Sequence, residues 1–230
     1  MVQQKLVLPP ITKNMKILAG LLFGLWFASV MIDPLRGIRD QFLLVSAPAI
    51  LEGYIWTIFT YAFWHADFMH LLFNLWVLWI FGSEVETRYQ GWKWWRFLFI
   101  CALGGGVFVF LSQLIFQSAH PTLGFSGSVM GVVAAFSWLN WERRINFFFF
   151  SLKGKNILPL FIILDILLVV VGREPISLAA HFGGMLTGLL LVTGYWRPKP
   201  LWRRWKRYRH RRKFKLLKKD PEKDRKKYLN

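Results

Sequence analysis

Hydrophobic residues along this chain come in long unbroken runs, not in strand-like alternation. Six runs stand out, roughly over residues 15–32, 67–83, 97–116, 126–141, 156–171 and 176–195. Such stretches predict helices that are apolar on every side, and helices of that kind belong in lipid. Several are shorter than the ~20 residues usual for a span. The predicted class is an all-α membrane protein, a six-transmembrane-helix bundle. Residues 33–66 form a long connection, yet they hold Tyr54-Ile55-Trp56, Phe59 and Phe63-Trp64. An aqueous loop would be more polar, so this first loop is expected to be membrane-associated, lying partly in the outer interface as amphipathic structure. The organisation predicted is a leader over 1–14, a membrane domain over 15–196 and a basic tail over 197–230.

Charge placement orients the bundle. With the N-terminus inside, the inner segments carry Lys5, Lys13 and Lys16, then Arg88, Lys93 and Arg96, then Arg143, Arg144, Lys153 and Lys155, then the tail. The outer segments carry Arg36, Arg39 and Arg173. Both termini inside satisfies the positive-inside rule at every loop, and the opposite orientation violates it.

Composition sharpens this in two ways. The chain is 55% hydrophobic and 18% aromatic, with 13 tryptophans, more apolar than a soluble domain. Its net charge of +18 is unevenly spread. From Arg197 onward there are 17 basic and 3 acidic residues, which leaves 13 basic against 9 acidic in the first 196. The basicity therefore belongs to the tail, where Trp202, Trp205, Tyr208 and Phe214 alternate with basic clusters. A juxtamembrane position favours anionic lipid as its partner over nucleic acid, which is not expected; the plainer reading is that the charge fixes topology. Cys101 is the one cysteine, lies in an apolar run and reads as a buried small hydrophobe. The first apolar run has no small-residue cleavage site after it and reads as an uncleaved anchor. No internal repeat is visible.

Polar residues inside the runs carry the chemistry, because at membrane depth they are costly and usually functional. In the orientation above, runs two, four and six all pass from outside to inside. Each holds its polar residues near its outer end. Run two has His70 and Asn74, four apart and so on one helix face. Run four opens at Ser126 within Gly124-Phe125-Ser126-Gly127, and run six has His181 about five residues in. At 1.5 Å per residue the two histidines sit roughly 5–8 Å below the run starts. Gly127 and Gly131 on run four, and Ala180, Gly184 and Gly188 on run six, make small-residue faces that let backbones approach closely. Packing there would bring Ser126 and His181 within hydrogen-bond reach. Taken singly, the glycines could serve generic packing, the histidines interhelical bonding and Asn74 helix association; the joint pattern points elsewhere.

A serine hydroxyl becomes a nucleophile when an adjacent base takes its proton. His181 is the candidate base, and then the acid that protonates the leaving amine. No acid is obviously placed to orient it, so the expectation is a dyad. An oxyanion hole would draw on the Ser126 backbone N–H, the Asn74 amide and the His70 imidazole. Asp165, in the middle of run five, reads best as a carboxyl bonded to some neighbour, with a gating or proton-linked role as the alternative.

These residues resemble the rhomboid family of intramembrane serine proteases. His65-Ala-Asp-Phe-Met-His70-Leu-Leu-Phe-Asn74 is similar to the family's second-helix motif, and Phe81-Gly82 followed by Glu86 to the end of that helix. Gly124-Phe-Ser126-Gly127 with Gly131 is similar to its nucleophile motif. Ala180-His181-Phe-Gly-Gly184 with Gly188 is similar to its last-helix motif. The resemblance implies a rhomboid-like bundle with Ser126 as nucleophile and His181 as general base. It also implies His70, Asn74 and the Ser126 N–H as oxyanion hole, and neither metal nor cofactor. Transmembrane protein substrates would be cut near the outer membrane face, with a small residue before the scissile bond and helix-weakening residues after it. By the same resemblance the connection over 172–177 would cap the site. Three positions depart from the family pattern. Met130 stands where a tyrosine often stacks on the histidine, Thr57 follows Trp56 where arginine is common, and Phe125 replaces a small residue and is expected to crowd the site. Two rivals compete: a catalytically silent rhomboid-like protein that binds transmembrane helices, and a proton-linked transporter using His70, Asp165 and His181. The transporter predicts internal repeats and broken helices at the midplane, whereas no repeat is visible and the polar cluster sits at the outer end. The compact core suggests a prokaryotic plasma membrane.

Overall fold

A computed structural model describes residues 9–147, 150–171 and 177–195. The chain divides into two units after Val192, and the first of them holds the helical bundle. The basic tail, the start of the leader and most of the expected cap over 172–177 lie outside the described residues.

Each of the six apolar runs is helical at its core. The first is α1, Lys13–Met31, started by Thr12, whose hydroxyl accepts from the Met15 N–H. The first loop then folds into α2 (Asp33–Phe42), α3 (Ala47–Leu51, capped by Ser46) and α4 (Thr57–Thr60), with a 3₁₀ turn over Tyr61–Phe63. Next come α5 (Phe68–Arg88), α6 (Trp92–Phe116) and α7 (Ser126–Leu139). An antiparallel hairpin follows, β1 (Arg144–Phe147) against β2 (Phe150–Lys153), with Arg144 opposite Lys153 and Phe147 opposite Phe150. The last helices are α8 (Ile157–Val170) and α9 (Leu178–Thr193). Among the described residues the fold is thus all-α but for that hairpin, which the hydrophobic pattern leaves as plain loop. Helices α1, α5 and α6 are long and apolar enough to cross a membrane, while α7 and α9 are shorter apolar helices.

Two boundaries shift outward from the apolar runs. Helix α5 continues five residues past Ser83, because its C-terminal end holds the leader. Glu86 accepts from Thr12 Oγ1 at 2.6 Å and from Asn14 Nδ2 at 2.7 Å, and Ser83 donates to Pro10 O. Helix α6 begins at Trp92, before its apolar run, because Trp94 is fully buried against the bundle.

Helix α7 is the centre. Every residue from Gly127 to Ser137 is buried, as expected of a helix that is apolar all round. At 14 residues it is only about 21 Å long, against a hydrocarbon core of about 30 Å. The first loop packs one part of its apolar residues on the bundle and exposes another. Tyr61, Ala62, Trp64 and His65 are buried against the bundle, while Leu51, Ile55 and Trp56 face outward.

Candidate active site

The first loop positions the serine. Val45 and Thr122 exchange backbone hydrogen bonds of 3.1 and 2.8 Å, the Gly124 N–H donates to Tyr61 O at 3.1 Å, and Tyr61 Oη donates to Ala102 O on α6. Gln113 of α6 accepts from the Ala47 N–H and donates to His120 O, each at 2.7 Å, clamping both connections. The chain then turns at Gly124, whose φ of +124° disfavours any side chain. Space matters there as much as φ. A Cβ on Gly124 would lie 2.8 Å from Cε1 and Nε2 of His70 and 3.7 Å from Ser126 Oγ. The imidazole of His70 and the hydroxyl of Ser126 thus flank one glycine. Ser126 opens α7, so the N–H groups of its first turn lack helical partners and the positive end of the helix dipole lies at the hydroxyl. Ser126 is half-buried, unlike the residues after it.

Helix α5 supplies the neighbouring polar groups. Asp67 caps it, accepting from the His70 N–H at 2.8 Å, which places His70 in the first turn. Asn74 is buried one turn below and donates through Nδ2 to His70 O at 3.1 Å. That bond takes one amide hydrogen and leaves a second to be aimed. Behind them, His65 is buried and accepts the Phe125 N–H through Nε2 at 3.4 Å, and its ring meets that of His70 edge-on at 5.1 Å. Burial, and then the charge of His70, push the pKa of His65 down to about 3. His65 is therefore a neutral acceptor at physiological pH.

The glycine faces bring α7 and α9 into backbone contact. A methyl on Gly184 would run into the Gly127 carbonyl, and one on Gly188 into that of Gly131; a Cβ on Gly127 would sit 3.2 Å from Ala180 O. The neighbours of Ser126 and His181 therefore touch each other. The small-residue prediction holds at these pairs, and α6 joins through Gly104 against Gly183 and Gly105 against Ala180. No direct Ser126–His181 hydrogen bond forms among the described residues, a looseness common in substrate-free sites.

One expectation is corrected. The linear sequence offers no acid obviously placed to orient His181. In the structure Asp165 Oδ2 lies 2.8 Å from His181 Nδ1, with the two side chains only 6% and 10% exposed. The pair is hidden in the sequence because 16 residues separate its members, and only the packing of α8 beside α9 joins them. Asp165 did carry a signal, as an acid alone in an apolar helix. His65 was the other residue left without a role, although it lies in the second-helix motif. The ring of Phe125 is buried in the hydrophobic core. Met130 packs with Ala134 and Met185, alongside Leu158, Phe161, Ile162 and Leu189.

Comparison with known proteins accords with this geometry. The Rhomboid domain matches residues 52–198. The chain is 32% identical over 165 residues to presenilin-associated rhomboid-like protein A, mitochondrial, of Danio rerio, covering 65% of this chain and 41% of the relative. It is 30% identical over 151 residues to rhomboid protease GluP of Bacillus subtilis, covering 65% of this chain and 28% of the relative. It is 25% identical over 181 residues to rhomboid-like protease 1 of Toxoplasma gondii, covering 75% and 59%. The chain thus spans less than two thirds of the length of each of these relatives. The domain match takes in His70, Asn74, Ser126, Asp165 and His181 and extends over more than half of the chain, and the chain belongs to the rhomboid family.

Proposed function

We propose that this chain is an intramembrane serine endopeptidase that cuts transmembrane proteins near the outer membrane face. The observation that carries the reading is the convergence at Gly124 and Gly127. His70 and Ser126 share the first glycine, and the second abuts Gly184, one turn along α9 from His181. Ser126 Oγ attacks the carbonyl carbon of the scissile peptide as its proton passes to His181 Nε2. The oxyanion is received by the Ser126 N–H, the Asn74 amide and the His70 ring. The C–N bond then breaks, the leaving amine takes the proton from His181, and water hydrolyses the ester by the reverse roles. The substrate is a helix that unwinds locally, since a helical peptide bond is shielded from attack.

We place six spans in the membrane with both termini on the side richer in Lys and Arg, and the tail against anionic lipid. The relatives include mitochondrial and bacterial proteins, so they lend no support to the plasma-membrane expectation, and the proposal is confined to topology.

Labelling of the full chain in detergent with a fluorescent fluorophosphonate tests the activity. Labelling is expected in the wild type and absent in Ser126→Ala and His181→Ala. A folded wild type that takes no label would overturn the protease reading and favour a silent helix-binding protein.

A further inference from the structure

Helix α8 buries only two of its residues, Ile157 and Asp165, while Ile163, Leu164 and the run from Ile166 to Val170 point outward. An ionisable side chain turned inward from so apolar a helix requires a partner, since an unpaired buried carboxylate is strongly disfavoured. The partner is not an arbitrary group but the Nδ1 atom of His181, at 2.8 Å. The two ring nitrogens of a histidine are not equivalent, and the hydrogen bond at one decides which carries the proton. A carboxylate on Nδ1 holds a proton there and leaves the Nε2 lone pair to face outward.

We propose that Asp165 is a positioning residue of this site, fixing the tautomer and ring orientation of His181 so that Nε2 is the basic nitrogen presented to Ser126. The inference rests on the protease reading and extends the expected dyad to a three-residue arrangement across α7, α9 and α8. Asp165 touches no reacting atom. It accepts the Nδ1–H bond throughout and stabilises the imidazolium while Nε2 holds the serine proton. Its charge has no described rival at the ring. Helix α7 has no ionisable residue at all, and the nearest ionisable group of α6, Cys101, lies against Gly131 one turn further in. At this end of α5, Asp67 is turned to the His70 N–H and His70 packs on Gly124 and His65.

Asp165 also bears on Met130, which stands where the family often has a tyrosine. Where an aromatic ring does not stack on the imidazole, orientation must come from elsewhere. Met130 offers a flexible thioether in place of a ring and packs with Met185, and the carboxylate at Nδ1 supplies a fixed restraint.

Two measurements on the full chain decide it. The first is the rate of fluorophosphonate labelling of Asp165→Asn, Asp165→Ala and Asp165→Glu, each checked for folding by its melting temperature. Asn is nearly isosteric but donates to Nδ1 and so enforces the wrong tautomer. It is expected to slow labelling roughly 10²–10⁴-fold, with Glu partly restoring the rate. The second needs no variant at Asp165. ¹⁵N NMR of imidazole-labelled protein, with His181 assigned among the five histidines by loss of its signal in His181→Gln, should show the proton on Nδ1. A folded Asp165→Asn that labels within threefold of wild type overturns the proposal, and so does a wild-type His181 protonated on Nε2 alone. If wild type labels and Ser126→Ala does not, the protease reading stands whichever way Asp165 falls. Absent wild-type labelling defeats that reading and this inference together.

Discussion

At the residue scale, the positions most constrained are those that cannot accept an added atom. Gly124→Ala must adopt a φ of +124° and also push on the His70 ring, 2.8 Å from the new carbon. Backbone strain of this kind costs about 1–3 kcal/mol. The displaced imidazole should also lower labelling of Ser126, so melting temperature and labelling rate are expected to fall together. His65 makes a prediction of a different sort. Its folded pKa of about 3 lies below the ordinary value of 6.5, so between those limits the unfolded chain binds a proton that the folded chain does not. The stabilisation is complete above about pH 6.5 and is lost as pH falls toward 3, by up to about 1.4 kcal/mol per pH unit. Melting temperature should therefore decline with pH over that window, and His65→Gln, whose side-chain oxygen can still accept the Phe125 N–H, should flatten the decline. An unchanged slope in the variant would mean that another group governs the acid limb.

At the element scale, the site is a product of helix approach. Helices α7 and α9 meet at Gly127–Gly184 and Gly131–Gly188 without side chains between them. Gly184→Ala is expected to force the helices apart, destabilising by roughly 1–3 kcal/mol and abolishing labelling even though Ser126 and His181 are intact. Gly20 of α1 is the control, since a Cβ there meets nothing within 4 Å. Gly20→Ala should leave labelling unchanged and, through helix propensity, stabilise by up to about 1 kcal/mol. Equal effects from the two substitutions would show that α7–α9 proximity is not what assembles the site. The glycine spacing was legible in the linear chain because helical period and small residues are both local facts. The alliance of α8 with α9 was not, because a single acid in an apolar run looks the same whether it meets a histidine or another polar group. The hairpin at Arg144–Lys153 escaped for a related reason: four-residue strands carry too little periodicity to separate from a loop.

At the scale of the whole molecule, charge and hydropathy give a topology that can be read out directly. Cys101 is the one cysteine and is buried, so a Cys101→Ala background allows single cysteines to be placed at will. Cysteines at Lys13 and Lys153 are expected to react with an impermeant thiol reagent from one side of the membrane, and one at Arg36 from the other. Labelling of positions 13 and 153 from opposite sides would refute the six-span arrangement. The linear pattern alone decided the helical class, the order of the six apolar helices and the choice of Ser126, His181, His70 and Asn74 as candidates. Those follow from hydropathy, helical period and motif, all of which act over short stretches of chain. Tertiary structure alone decided that Gly124 seats His70 against Ser126, that His65 stands neutral behind them and that Asp165 reaches His181. Each of those depends on which helix faces which across tens of residues, and that is settled by packing, where no local rule applies.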